Sequence, residues 1–150
     1  MRILISGCLL GVCCRYDGAS KPHPLALELA KDHELILVCP EQLGGLATPR
    51  PPAERQGERI IAKTGLDVTE QYRRGAEETL KVYRLLNCDA AVLKERSPSC
   101  GSGEIYDGTF TGTLIPGDGT TAELLKANGV PVCGESGIPE LLRGGKMVSC

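Results

Sequence analysis

The chain has 150 residues, of which 41% are hydrophobic and 24% charged, with a formal net charge of −2. That is enough length for one domain with a real core, and too little positive charge to grip a nucleic-acid backbone. One Phe, four Tyr and no Trp leave little for an aromatic base-stacking platform, and no apolar run reaches membrane-spanning length.

Met1–Ser6 reads as a buried strand that starts without a secretory h-region, so a cytoplasmic protein is expected. It runs into Gly7-Cys8-Leu9-Leu10-Gly11 and a polar turn, Cys13–Gly18. Pro24 opens a short helix reaching His33. Leu35–Val38 is the next buried strand, and Cys39 stands at its carboxyl end. Pro40, with a fixed φ and no N–H, stops that strand and aims Glu41 out of the sheet. Residues 40–57 read as irregular, with Gly44-Gly45 and Thr48-Pro49-Arg50-Pro51-Pro52, and a loop of that length inside a compact domain is usually functional or mobile.

Arg59–Ala62 and Leu66–Val68, around Lys63-Thr64-Gly65, suggest a small hairpin. Thr69 reads as the N-cap of a helix to about Leu86, with Tyr72, Ala76, Leu80, Tyr83 and Leu86 at helical spacing. Ala90–Leu93 is a third buried strand, opening into Arg96-Ser97-Pro98-Ser99-Cys100-Gly101-Ser102-Gly103. Ile105–Leu114, rich in Gly and Thr, reads as loop. Thr120 or Thr121 caps a helix through Lys126, closed by Asn128-Gly129. Val130–Cys133 is a fourth strand and Ile138–Leu142 a last helical turn before a loose tail. Strands alternating with helices predict an α/β fold over residues 1–150, a Rossmann-like or flavodoxin-like parallel sheet with helices on both faces and a small hairpin insertion.

In such a sheet all carboxyl ends share one edge, so Cys8, Cys39, Cys100 and Cys133 point toward one crevice. Eight cysteines without a Cys-x-x-Cys pair, in a chain expected to stay reduced, suggest a metal or cluster held by distant residues. Cys88, Cys133 and Cys150 read as small core residues. Cys8, Cys39 and Cys100 sit among Gly, Pro, Ser and charged neighbours, where packing is a poor explanation. His23 and His33 read as solvated residues, so the donor set is soft and favours iron–sulfur over zinc. Three ligands on a cubane leave one iron open for Lewis-acid work. A fourth from Cys13, Cys14 or Cys133 would instead make an iron–sulfur carrier or redox sensor. Ser97, Ser99 and Ser102 offer hydroxyls at the rim, and Arg15, Arg50 and Arg96 lie in loops where an anionic substrate would be met.

Ser6-Gly7-Cys8-Leu9-Leu10-Gly11, Arg15-Tyr16-Asp17-Gly18, Cys39-Pro40-Glu41, Thr48-Pro49-Arg50-Pro51 and Ser97-Pro98-Ser99-Cys100-Gly101 together resemble the thiouracil desulfidase family. The likeness spans nearly the whole chain in the right order. It implies a 4Fe–4S cluster held by Cys8, Cys39 and Cys100, with the fourth iron free to take the sulfur of a thiolated uracil. It also implies that Glu41 is the catalytic carboxylate and that a serine near the third cysteine takes part, Ser99 first, with Ser97 and Ser102 as alternatives. Cys14 is not required as a ligand on this resemblance. Larger relatives carry a second domain and act on thiolated tRNA. A chain of this length is expected to take a thiolated pyrimidine base or nucleotide instead. The reaction implied is non-redox desulfuration to a uracil-type product and hydrosulfide.

Overall fold

In the computed structural model, which describes residues 1–145, the elements follow in the order β1 (Arg2–Ser6), α1 (Ala26–Leu29), β2 (Glu34–Val38), α2 (Pro40–Leu43), β3 (Ala53–Gln56), β4 (Arg59–Ala62), α3 (Thr69–Leu85), β5 (Ala90–Leu93), β6 (Glu104–Tyr106), β7 (Leu114–Pro116), α4 (Thr120–Ala127), β8 (Val132–Gly134) and α5 (Ile138–Leu142). Short 3₁₀ turns follow β1 and β8. The main sheet has the order β2-β1-β5-β8, and every pair in it is parallel. Its central strands carry the apolar runs Ile3–Ile5 and Ala90–Leu93 because both faces are covered. Side chains alternate across β1: Ile3 and Ile5 pack with Leu29, Ile138 and Leu141 of α1 and α5, while Leu4 packs with Leu80 and Leu125 of α3 and α4. β2 is an edge strand and leaves Leu37 53% exposed. No helix among the described residues is long and apolar enough to cross a membrane.

The chain leaves β1 toward β2 and then returns to the other side of β1 as β5, so the winding direction reverses beside β1. The carboxyl ends at such a reversal diverge and leave a crevice where open α/β sheets bind ligands.

The expected hairpin is present and gains a further strand. Ala62 N–H donates to the Leu66 carbonyl at 2.8 Å and Val68 N–H to the Ile60 carbonyl at 2.9 Å, around an antiparallel bridge from Asp67 to Ile61. β4 also pairs with β3, Ala62 against Ala53 and Arg59 against Gln56. Ala53-Glu54-Arg55-Gln56 carries no apolar alternation, so nothing in it announced a strand. β6 and β7 likewise pair, with Ile105 opposite Ile115, in a segment read as loop. Ile105 is the buried anchor of that arm.

Helix starts also differ from expectation. Thr69 is the first residue of α3 and Val68 occupies the cap position. The Thr69 hydroxyl accepts the Ile60 N–H at 2.9 Å, and Asp67 Oδ1 accepts the Thr69 N–H at 2.9 Å. At α4 the cap is Gly119, not a threonine, because a Cβ there would lie 2.4 Å from the Ser99 carbonyl carbon. The first helix is confined to Ala26–Leu29 and the last strand begins at Val132. The expectations for the tail and for Cys150 lie outside the described residues.

α2 and α3 meet backbone to backbone. A Cβ on Gly44 would lie 1.9 Å from the Gln71 carbonyl oxygen, and one on Gly75 would lie 2.0 Å from that of Pro40. Only glycine permits this approach, and it sets Glu41 of α2 against Tyr72 of α3.

Candidate active site

Cys8, Cys14, Cys39 and Cys100 all line a cavity of about 530 Å³ at the carboxyl edge of the sheet. The 3₁₀ turn after β1 carries Cys8, the strand end of β2 carries Cys39, and the loop beyond β5 carries Cys100. Cys8 and Cys100 are buried and Cys39 is half-buried. Burial pushes the Cys8 thiol up to about 11, against the pull of Lys94, with Cys39 adding to the rise. Cys100 is raised for the same first reason and is raised further by Glu41, Cys39 and Cys8, while a hydrogen bond with Ser6 opposes the shift. The three thiols are thus near enough to sense one another's charge. Cys14, raised to about 12 chiefly by burial, stands beside them, and its carbonyl lies 3.6 Å from Cys39 Sγ. Cys133 is packed in the apolar layer beneath and Cys88 in the opposite layer. Cys13 is exposed.

The donor set bears on what the cavity can hold. Among the described residues no three His, Cys, Asp or Glu side chains converge as a single metal ion requires. A mononuclear zinc needs donors within ~2.0–2.3 Å of one point. A polynuclear cluster takes thiolates at separate irons, so its donors stand around a volume. Sulfur donors on three loops around one cavity fit that second demand. Neither histidine takes part: His33 Nδ1 lies 3.1 Å from the N-terminal amine, and His23 Nδ1 accepts the Leu25 N–H at 3.2 Å.

Glu41, the second residue of α2, lines the same cavity. Its Oε1 accepts a short hydrogen bond from the Tyr72 hydroxyl and lies 3.4 Å from Arg50 Nε. Its other oxygen has no partner among the described residues. Tyr72 is buried, and burial, followed by the Glu41 charge, pushes its phenol well above the usual range, so it remains a donor.

Arg50, expected to meet an anionic substrate, is 9% exposed and its donors are already engaged. Nη1 donates to the Ala47 carbonyl at 3.1 Å and to Thr48 Oγ1 at 2.9 Å, while Nη2 donates to the Cys14 carbonyl at 2.9 Å. It is a strut joining the cysteine turn to α2. Arg15 does reach the cavity, half-buried, 3.9 Å from Asp17 and 5.6 Å from the centre of the Tyr16 ring. Arg96 also lines it, 3.7 Å from Glu104.

The three serines near Cys100 are placed differently. Ser99 is 1% exposed, its hydroxyl lies 2.9 Å from Thr121 Oγ1, and it does not line the cavity. Ser102 does not line it either. Ser97 does, and its Oγ accepts the N–H groups of Ser99 and Cys100, each at 3.1 Å. Tyr72 and Lys94 are among the cavity residues that went unnoticed in the sequence. Tyr72 carried only the signal of a core position on a helix. Lys94 follows β5 directly and lines the cavity, with Nζ 2.8 Å from Glu135 Oε1, so the strand-end rule applied to the cysteines would have found it.

A model of the 2-thiouracil desulfurase family matches residues 3–136. An uncharacterized protein of Bacillus subtilis (strain 168), YbbK, is 43% identical over 150 residues, covering 93% of this chain and 99% of its own length. Among solved structures, the [4Fe-4S]-dependent thiouracil desulfidase TudS is 46% identical and superposes with a TM-score of 0.89, covering 95% of this chain and 96% of that one.

Proposed function

The chain belongs to the 2-thiouracil desulfurase family, and from that premise we propose that it is a 4Fe–4S-dependent enzyme that converts thiolated uracils to the uracil-type product and hydrosulfide. The observation that carries this reading is the meeting of Cys8, Cys39, Cys100 and Glu41 in one cavity at the sheet's point of reversal. Cys8, Cys39 and Cys100 would hold the cluster through their thiolates. When bound, the cluster supplies an iron without a protein ligand, a Lewis acid suited to a soft thiocarbonyl sulfur.

The remaining work falls to the protein. Glu41 is the general base, acting through the oxygen that neither Tyr72 nor Arg50 engages. It takes a proton from water and directs the water oxygen to the ring carbon bearing sulfur, a contribution of ~10²–10⁴-fold. Tyr72 and Arg50 fix the carboxylate so that this oxygen faces the cavity. Ser97, whose oxygen already accepts two backbone N–H groups, has its own proton left to donate toward substrate or water. Carbon–oxygen bond formation and carbon–sulfur cleavage consume one water and no electrons.

At the mouth, Lys21 and Lys63 are exposed, line the cavity and make no ion pair or hydrogen bond through their side chains among the described residues. With Arg15 they favour a substrate that carries an anionic group, a nucleotide over the free base. Reduced surroundings such as the cytoplasm suit the seven described cysteines, all free thiols. One further reading draws on Cys14, which lies against Cys39: as a fourth ligand it would close the open iron and leave a carrier or redox sensor.

The direct test is anaerobic reconstitution followed by hydrosulfide detection with 4-thiouracil and with 4-thiouridine 5′-monophosphate. Release from both with a lower KM for the nucleotide is expected. A fully loaded protein that releases none from either overturns the assignment.

A further inference from the structure

We propose that Phe110 is the platform on which the pyrimidine ring of the substrate stacks, a role that rests on the desulfidase reading and names what holds its substrate. The chain has five aromatic residues, Tyr16, Tyr72, Tyr83, Tyr106 and Phe110, and all but Tyr83 line the one cavity. A low aromatic count gave no reason to expect a stacking surface, yet the fold gathers nearly all of it at the thiols.

Two of that group, Tyr106 in β6 and Phe110, are half-exposed outside the buried apolar clusters, and of the two only Phe110 has a left-handed backbone. Tyr72 is buried with its hydroxyl on Glu41, and the Tyr16 ring lies under the Arg15 guanidinium. Phe110 is half-exposed and belongs to none of the buried apolar clusters. It rides at the tip of the β6–β7 arm between Thr109 and Thr111, where packing supplies no reason for a large apolar ring.

Its backbone is also unusual, with φ at +58°, a conformation that costs a bulky residue energy unless its surroundings enforce it. The enforcement comes from β3. Glu54 Oε1 accepts the N–H groups of Gly108 at 3.0 Å and Phe110 at 3.1 Å, and Gln56 Nε2 donates to the Gly108 carbonyl at 2.9 Å. The two hairpins therefore close on each other through one carboxylate, and that contact fixes the ring's mount. Glu54 is a positioning residue for Phe110.

Stacking suits the chemistry of this substrate. A flat heteroaromatic ring held by its face keeps its edges free, so the thiocarbonyl edge can be presented to the cysteine side of the cavity. A platform made of a π-face alone tolerates changes at the ring edge, including the position of the sulfur.

The test uses anaerobically reconstituted enzyme with Phe110→Ala, Phe110→Leu and Phe110→Tyr. KM and kcat are measured with 4-thiouracil, and the dissociation constant of uracil by calorimetry. Phe110→Ala should raise KM and the uracil dissociation constant together by roughly 5- to 150-fold, the range expected for one base stacked on one aromatic ring, and leave kcat unchanged. Phe110→Leu should be intermediate and Phe110→Tyr close to the parent. Glu54→Ala should weaken binding in the parent but add nothing in the Phe110→Ala background, since it acts through the same ring. If Phe110→Ala binds uracil as the parent does, or loses kcat at unchanged affinity, the platform is wrong. That failure is distinct from absence of hydrosulfide release by the loaded parent, which would overturn the function itself.

Discussion

Glu41 owes its place to contacts on one of its two oxygens. Tyr72 and Arg50 both bond Oε1, which restrains the side chain and leaves the second oxygen for chemistry. Glu41→Gln keeps the shape and one acceptor but removes the base, so it should retain the cluster absorbance and lose ~10²–10⁴-fold in kcat. Loss of the cluster itself would mean that the carboxylate is structural. The serines separate in the same way. Ser97→Ala should lower turnover with iron content retained, at a cost of about 1–3 kcal/mol in stability from the Ser99 and Cys100 N–H groups that lose their acceptor. Ser99→Ala should act mainly on stability, by about 1–3 kcal/mol in a denaturant titration, because it leaves the buried Thr121 hydroxyl without its partner. The opposite pattern would return the catalytic role to Ser99.

Between elements, the contact of α2 with α3 is the most exacting. Gly75→Ala would gain about 1 kcal/mol of helix propensity on an exposed helix. Here its Cβ would meet the Pro40 carbonyl at 2.0 Å, and backbone cannot yield as a flexible side chain can, so overpacking of about 1–3 kcal/mol should prevail. Activity should fall with it, since Glu41 follows Pro40. A urea midpoint higher than the parent's would refute the packing. At the start of α3, Thr69 and Arg59 hold the Asp67 carboxyl down to about 2. A lowered carboxyl stabilises the fold above its unfolded value of about 3.9 and loses that contribution as pH falls through the folded value. Relative to Asp67→Ala, the parent should therefore hold a constant advantage at neutral pH that shrinks between about 4 and 2. Denaturant midpoints that keep a constant gap down to acid pH would contradict this.

For the whole molecule, the proposed ligands Cys8, Cys39 and Cys100 come from three separate segments, so a cluster bound by them would act as a tertiary cross-link. A group that binds only the folded chain stabilises it by mass action. Reconstituted protein should melt above cluster-free protein, and Cys8→Ala, Cys39→Ala and Cys100→Ala should each lose iron along with that increment. Cys14→Ala should keep both; if it loses iron, the carrier reading gains. These outcomes are read by iron content and calorimetry, independent of turnover.

The main sheet and the cysteine edge were legible in the chain. Ile3–Ile5, Ala90–Leu93 and the run ending at Cys133 are apolar because parallel strands are covered on both faces, and Leu35–Val38 shares the pattern although its edge position leaves Leu37 exposed. Parallel strands share one carboxyl edge, so Cys8, Cys39 and Cys100 were bound to meet wherever the order of strands allowed it. Glu41, one residue past Pro40, came with them. Tertiary structure alone decided which way side chains turn inside the loops. Ser99 faces away from the cavity because Gly119 and Thr121, twenty and more positions on, close against its backbone and hydroxyl. Arg50 became a strut because the Cys14 carbonyl lies within its reach. Of the β3–β4 and β6–β7 hairpins only β4 was legible as a strand, since Ala53–Gln56 and Glu104–Tyr106 carry no apolar run to reveal them, and Glu54 and Gln56 tie the two hairpins together through Gly108 and Phe110. Local pattern governs what must be buried, whereas direction within an irregular segment depends on partners distant in sequence.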